Sequence, residues 1–142
     1  VKKPPFIDVA YSLTYIKLDI IMNMDTPNIK SVDFREGSKK DLLKFPKEAR
    51  TVAGYQIDRV QRGFQPDDWK PMTTVGPGVN EIRIDEDNGI FRVFYVANIG
   101  DKVYVLHCFQ KKTQKTAQKD IDLAKGRYKR LIQELQKNGS KK

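Results

Sequence analysis

Three consecutive predicted strands decide the fold, and they lie in residues 80–110, whose sequence is NEIRIDEDNGIFRVFYVANIGDKVYVLHCFQ. An Asp-Asn-Gly turn at 87–89 and a Gly-Asp turn at 100–101 divide this stretch into strands at 80–85, 90–99 and 102–110. In the middle strand, apolar residues at 93–96 fall on both faces, as in a strand that is covered on two sides. The stretch therefore predicts an antiparallel sheet with both faces of its central strand buried.

Helical patterns flank this sheet on both sides. Before it, Ser38 is the predicted N-cap of a short helix, and a second helix follows that Gly63 closes. After it, Thr116 is the predicted N-cap of a helix whose apolar residues recur at helical spacing, namely Ile121, Ala124, Tyr128, Leu131 and Leu135. A short strand at 29–34 precedes the helices, and residues 63–78 are predicted to be a loop. The order is β-α-α-β-β-β-α, an α+β fold with a small antiparallel sheet.

The chain divides into three parts by pattern. Residues 27–137 form the predicted domain, and residues 138–142 form a basic tail. Residues 1–26 stand apart from the domain, and the alternation around Ile16–Ile20 is typical of a strand. We interpret this N-terminal segment as an extension that is dispensable or not native.

Charges and cysteine usage favour a cytoplasmic protein. Asp8, Lys17 and Asp19 interrupt the most apolar window, so the sequence predicts neither a transmembrane helix nor a secretory signal. The chain has one cysteine, Cys108, which has no second cysteine in the chain to pair with and is typical of a reducing compartment.

Positive charge is concentrated at the C-terminal end. The net charge of the chain is +9, and residues 110–142 contain eleven lysines or arginines against three acids. Such a concentration favours a polyanionic partner, RNA or DNA. The alternative is a solvated helix face followed by a basic tail.

The end of the last predicted strand resembles a known signature. The residues FQKKTQKT at 109–116 resemble the FxKKTxKT signature of phage-derived RelE/HigB-like toxins, and four further segments follow the same pattern, EIR at 81–83, FRVFY at 91–95, VYVLH at 103–107 and DDWKPM at 67–72. The resemblance extends over residues 29–135, whereas the segment before Met22 departs from it. It implies a RelE-like fold and a cognate antitoxin, often a helix-turn-helix protein. It also implies an mRNA interferase that cleaves messenger RNA, commonly on the ribosome.

The residue inventory favours chemistry without a cofactor or a metal. A single histidine next to a single cysteine cannot form a zinc finger, and the phosphate-loop and dinucleotide fingerprints are missing from the sequence. The acidic run at 85–87 is interpreted as a solvated turn. A metal-free nuclease has a direct route on RNA, where the substrate 2′-hydroxyl attacks the neighbouring phosphate and leaves a cyclic phosphate. Together with the resemblance, this route implies the activity of an endoribonuclease.

Arg83 and Arg92 are the candidates for neutralising the phosphate charge, because both lie on paired strands and a guanidinium donates two parallel hydrogen bonds to phosphate. By resemblance, Arg92 matches the strand arginine that contacts the scissile phosphate in RelE-type enzymes. The alternative for both arginines is an ion pair with a carboxylate such as Glu81 or Asp85.

The remaining candidates follow the last strand or lie within the sheet. Lys112, or its neighbour Lys111, is the predicted catalytic lysine that protonates the leaving oxygen. The predicted RNA-binding lysines are Lys111, Lys115 and Lys119. His107 is a candidate general base, with a structural histidine as the alternative. Tyr95 is a candidate for stacking on a base, with a core position as the alternative.

Two other functions remain open. A non-catalytic toxin of the same fold inhibits a protein target such as a topoisomerase. A phage-derived nucleic-acid-binding protein binds RNA and DNA alike, with a strong dependence on salt.

Overall fold

The computed structural model describes residues 29–139 of the chain. The predicted N-terminal extension, its strand around Ile16–Ile20 and the last three residues of the basic tail lie outside the described residues. The elements are, in chain order, β1 (Val32–Phe34), α1 (Ser38–Leu43), α2 (Lys47–Gln61), β2 (Trp69–Pro71), β3 (Val79–Glu86), β4 (Gly89–Val96), β5 (Val103–Lys111) and α3 (Gln118–Gly139).

The strands form one five-stranded sheet in the order β1-β5-β4-β3-β2. The predicted α+β architecture is confirmed, with a helical hairpin and a C-terminal helix around the sheet. Strands β2 to β5 are antiparallel, whereas β1 pairs in parallel with β5. The edge strand β2 lies inside the predicted loop. This strand has only three residues, the last of which is Pro71, and it is too short to show an alternating pattern in the sequence.

The sheet separates two apolar cores. The helical hairpin α1–α2 packs on one face, where Phe91, Val93 and Tyr95 of β4 are buried. Helix α3 packs on the other face, where Phe94 and Val96 are buried. Burial of each such large side chain contributes about 1.5–3 kcal/mol to folding. The prediction that the middle strand is covered on both sides is therefore confirmed.

The helix ends agree with the sequence pattern in part. Gly63 adopts a φ of 87° after α2, and the amide of Phe64 donates to the carbonyl of Arg59, as a C-terminal glycine predicts. The predicted N-cap role of Ser38 is wrong, because Gly37 is the N-cap and the buried Ser38 hydroxyl donates to the carbonyl of Val105 at 3.1 Å.

Helix α3 also begins later than predicted, at Gln118, where the amide of Asp120 donates to the carbonyl of Ala117. Its apolar stripe is confirmed, since all five predicted residues lie in the second core. Polar contacts add to this packing: the Tyr128 hydroxyl donates to the carbonyl of Pro77 at 2.7 Å, and Arg127 donates to the carbonyl of Leu106 at 2.9 Å. None of the helices in the described part of the chain is long and apolar enough to cross a membrane.

Candidate functional site

The β3–β4 hairpin brings the two candidate arginines together. Arg83 of β3 lies directly opposite Arg92 of β4 in the antiparallel register. Ile82 and Ile84 pack in the core under α2, so the alternating residues of β3, including Arg83, face the side of α3. The predicted approach of these arginines is therefore confirmed by the strand register.

The surroundings of the two arginines differ. The Arg92 side chain is buried, with its Nε 3.5 Å from Oε1 of Glu81 and its Nη1 3.4 Å from Oδ1 of Asp85. Its Nη1 also donates to its neighbour's carbonyl at 2.9 Å. Arg83 is 38% exposed, and its Nε lies 4.0 Å from Oδ2 of Asp68. Both arginines thus lie beside carboxylates, as the alternative predicted, but Arg83 is far more exposed than Arg92.

Two lysines complete the same face. Lys70 of β2 lies opposite Glu81, and its Nζ is 3.9 Å from Oε1 of that glutamate. Lys111 ends β5, two residues after Phe109, which pairs with Arg92. Burial and the positive charge of Arg92 lower the pKa of Lys111. We call these four cations the basic face, and its members are Lys70, Arg83, Arg92 and Lys111.

The other lysines lie outside the basic face. Lys112 is exposed beyond the end of β5, and its Nζ donates to Oε1 of Gln110 at 3.0 Å. Lys115 and Lys119 are exposed in the loop before α3 and in its first turn. The structure thus brings Lys111, rather than the predicted catalytic residue Lys112, beside Arg92, because strand alternation turns consecutive side chains to opposite faces.

His107 connects the sheet to α3. Its Nε2 lies 2.8 Å from Oδ1 of Asp120, and its ring stacks on Phe109 with centroids 4.8 Å apart. Burial lowers the pKa of His107, against the opposing effect of the Asp120 carboxylate. This placement fits the structural alternative for His107.

Tyr95 lies on the other side of the sheet from the basic face. The residue is 2% exposed and belongs to the core under α2. Burial raises the pKa of its hydroxyl to about 12. The placement fits the core alternative for Tyr95 and leaves little of the ring surface open to a base.

Two members of the site were missed by sequence reasoning. Lys70 belongs to a strand that was predicted as loop, and Glu81 was considered only as an ion-pair partner. Once β2 is recognised, its register with β3 places Lys70 opposite Glu81. Within residues 29–139, no three His, Cys, Asp or Glu side chains are grouped so that they could hold a metal ion.

Comparison with known proteins identifies the family of the chain. A sequence model of the family described as Phage derived protein Gp49-like (DUF891) matches residues 40–129, which include the whole basic face. A comparison with curated proteins found no match. Because the family model covers more than half of the chain, the chain belongs to the phage-derived Gp49-like family, a RelE-like toxin family of toxin–antitoxin systems.

Proposed function

We propose that this protein is the toxin of a toxin–antitoxin module and cleaves messenger RNA as an endoribonuclease of the RelE/HigB type. The observation that carries the proposal is the register of the hairpin, which sets Arg83 opposite Arg92 beside Lys111. Rigid strands hold these cations in place, and preorganised charge stabilises a transition state better than mobile charge does.

The chemistry assigned to the site uses the RNA as its own nucleophile. The substrate 2′-hydroxyl gives its proton to solvent water, and its oxygen forms a bond to the adjacent phosphorus. The bond from that phosphorus to the 5′-oxygen of the next nucleotide breaks, which leaves a cyclic phosphate on one fragment and a protonated 5′-hydroxyl on the other. Arg83 binds the phosphate and Arg92 stabilises its developing charge, each by about 2.7–4 kcal/mol if the contact forms in the transition state. Lys111 donates the proton to the leaving oxygen, a role that its lowered pKa favours.

Binding of the RNA strand extends from the basic face to the start of α3. Lys115 and Lys119 are exposed along this path and attract neighbouring phosphates. A cognate antitoxin that covers the basic face would block the activity, and the membership of a toxin–antitoxin family supports such a partner. We place the reaction on translated messenger RNA at the ribosome, in the cytoplasm.

The test is primer extension on cellular transcripts after brief induction of the protein. Wild type is expected to produce new 5′ ends within translated regions and to arrest growth. Arg83→Gln is expected to cleave roughly 10²–10³-fold more slowly and therefore to lose both the new 5′ ends and the growth arrest. Lys47→Gln is the control, because Lys47 is exposed at the start of α2 on the opposite face of the sheet. Arg92→Ala is avoided, because it leaves Glu81 buried without its arginine at a cost of about 3–5 kcal/mol.

Lys111→Arg tests the proton-donor role separately from charge. An arginine keeps the positive charge but remains protonated at neutral pH, so it binds RNA without releasing a proton. We expect Lys111→Arg to bind a single-stranded oligonucleotide as wild type does and to lose cleavage. Cleavage at the wild-type rate would contradict the role assigned to Lys111.

Growth arrest with intact transcripts would overturn the nuclease proposal and favour a protein target such as a topoisomerase. Strong binding of RNA and DNA alike, without growth arrest, would favour a general nucleic-acid-binding protein.

A further inference from the structure

Two carboxylates contact Arg92, and they differ in their access to solvent. The Glu81 side chain is 1% exposed, whereas the Asp85 side chain is 50% exposed. They also approach different ends of the guanidinium, since Glu81 lies near Nε and Asp85 lies near Nη1. The two contacts therefore have different physical roles.

Glu81 is fixed inside the sheet. It lies on β3 opposite Phe94 of β4, and both residues are buried. Its Oε1 faces Arg92 and Lys70, and its Oε2 is buried without a hydrogen-bond partner among the described residues. A buried carboxylate needs opposite charge to offset its desolvation. The charge attraction between these two buried side chains therefore holds the Nε side of the guanidinium beside Glu81, although the Nε–H group itself has no hydrogen-bond partner among the described residues.

Asp85 can separate from Arg92 at a lower cost than Glu81 can, because solvent reaches its carboxylate. It lies one residue before the end of β3, beside the hairpin turn, and half of its side chain is exposed. A carboxylate and a phosphate accept the same hydrogen bonds from a guanidinium. Asp85 therefore occupies a place that the phosphate of a bound RNA can take.

We propose that Glu81 is a positioning residue that orients the guanidinium of Arg92, while the substrate phosphate displaces Asp85 from that guanidinium. The inference rests on the proposed nuclease function and adds to it a buried acid beneath a basic site. Glu81 itself does not touch the substrate. Its effect on the reaction passes through the orientation of Arg92, and a displacement of about 1 Å at such a site can cost about 10²-fold in rate.

Single-turnover cleavage of messenger RNA on ribosomes, together with binding of a 2′-deoxy oligonucleotide that cannot react, tests the proposal. Glu81→Gln is expected to bind the oligonucleotide at least as tightly as wild type and to cleave about 10- to 100-fold more slowly. Charge alone would make Glu81→Gln faster than wild type, because the variant loses a negative charge beside the phosphate. Slower cleavage with undiminished binding therefore indicates that Glu81 acts by positioning Arg92. Asp85→Asn is expected to bind several-fold more tightly. Glu86→Gln is the matched control, because alternation turns Glu86 to the opposite face of β3.

A spectroscopic measurement tests Glu81 without relying on cleavage. The ¹H–¹⁵N signal of the Arg92 Nε–H group, assigned by its loss in Arg92→Lys, is expected to shift in Glu81→Gln and to stay in place in Asp85→Asn. If wild type leaves RNA intact, the nuclease function fails, and this signal alone decides whether Glu81 holds Arg92. An unchanged signal in Glu81→Gln overturns the proposal.

A second variant covers the case in which Glu81→Gln does not fold. Glu81→Asp keeps the charge but shortens the side chain by one methylene, which draws Arg92 out of place. We expect it to cleave about 10-fold more slowly than wild type. Cleavage by either Glu81 variant at the wild-type rate overturns the positioning role.

Discussion

At the scale of single residues, His107 makes stability depend on pH. Burial lowers its pKa in the folded state below the ordinary value of 6.5, so the unfolded chain binds a proton more readily than the folded protein does. The contribution of neutral His107 is therefore complete above that ordinary value and is lost as the pH falls below it. The loss amounts to at most about 1.4 kcal/mol per pH unit.

Urea denaturation at about pH 7.5 and about pH 5.5 measures this loss. Because His107 is the only histidine in the chain, His107→Gln should remove most of the decrease in the free energy of unfolding between the two pH values. An equal decrease in wild type and variant would contradict the burial argument.

The residues of the site were predictable where they depend on strand pairing alone. Arg83 and Arg92 each stand four residues from the two-residue turn at 87–88, so a hairpin closed at that turn sets them opposite each other. The sequence did not show whether Lys111 or Lys112 lies beside Arg92. That choice depends on where β5 ends and on which face of the sheet each lysine occupies. The sequence predicted the contact of Arg92 with Glu81 only as an alternative to phosphate binding, because a sequence pattern does not show whether a charged side chain is buried.

At the scale of elements, α3 is docked through Tyr128 on the loop between β2 and β3. A Cβ atom built on Gly76 would lie 2.5 Å from Cε2 of Tyr128, so any larger residue must displace that ring. We expect Gly76→Ala to lower the free energy of unfolding by about 1–3 kcal/mol. Gly54→Ala is the control in α2, where a Cβ meets no atom, and it should raise the free energy by about 0.5–1 kcal/mol.

Urea denaturation of both glycine variants compares the two changes directly. A Gly76→Ala protein as stable as wild type would show that α3 tolerates a shift of Tyr128. The helix content of Gly76→Ala, measured by far-ultraviolet circular dichroism, should equal that of wild type, because the substitution disturbs the docking of α3 and not the helix itself.

Element prediction succeeded where periodicity is long and failed where a tertiary contact competes with a local one. The stripe of α3 extends over four turns, so its buried face is unambiguous. Ser38 has the chemistry of an N-cap, but its hydroxyl bonds to β5 in the folded protein, and Gly37 takes the turn with a φ of 88°. Strand β2 forms because its residues pair with β3. Three residues are too few to predict that pairing from the sequence.

At the scale of the whole molecule, the basic face leads into the exposed lysines before and within the start of α3. Lys111 ends β5, Lys115 lies in the loop that follows, and Lys119 lies in the first turn of α3. Such an arrangement favours a single path for a nucleic-acid strand over general adhesion.

The number of phosphates on this path sets the salt dependence of binding. For a single strand, the slope of log K against log salt is about −0.7 for each phosphate that the protein neutralises. We expect Lys115→Gln and Lys119→Gln each to reduce that slope by about 0.7, and the double variant to reduce it by about 1.4. Binding of a 2′-deoxy oligonucleotide over a series of salt concentrations measures the slopes, with Lys47→Gln as the control on the far side of the sheet. Equal slopes in all variants would place the nucleic acid elsewhere and separate the start of α3 from the basic face.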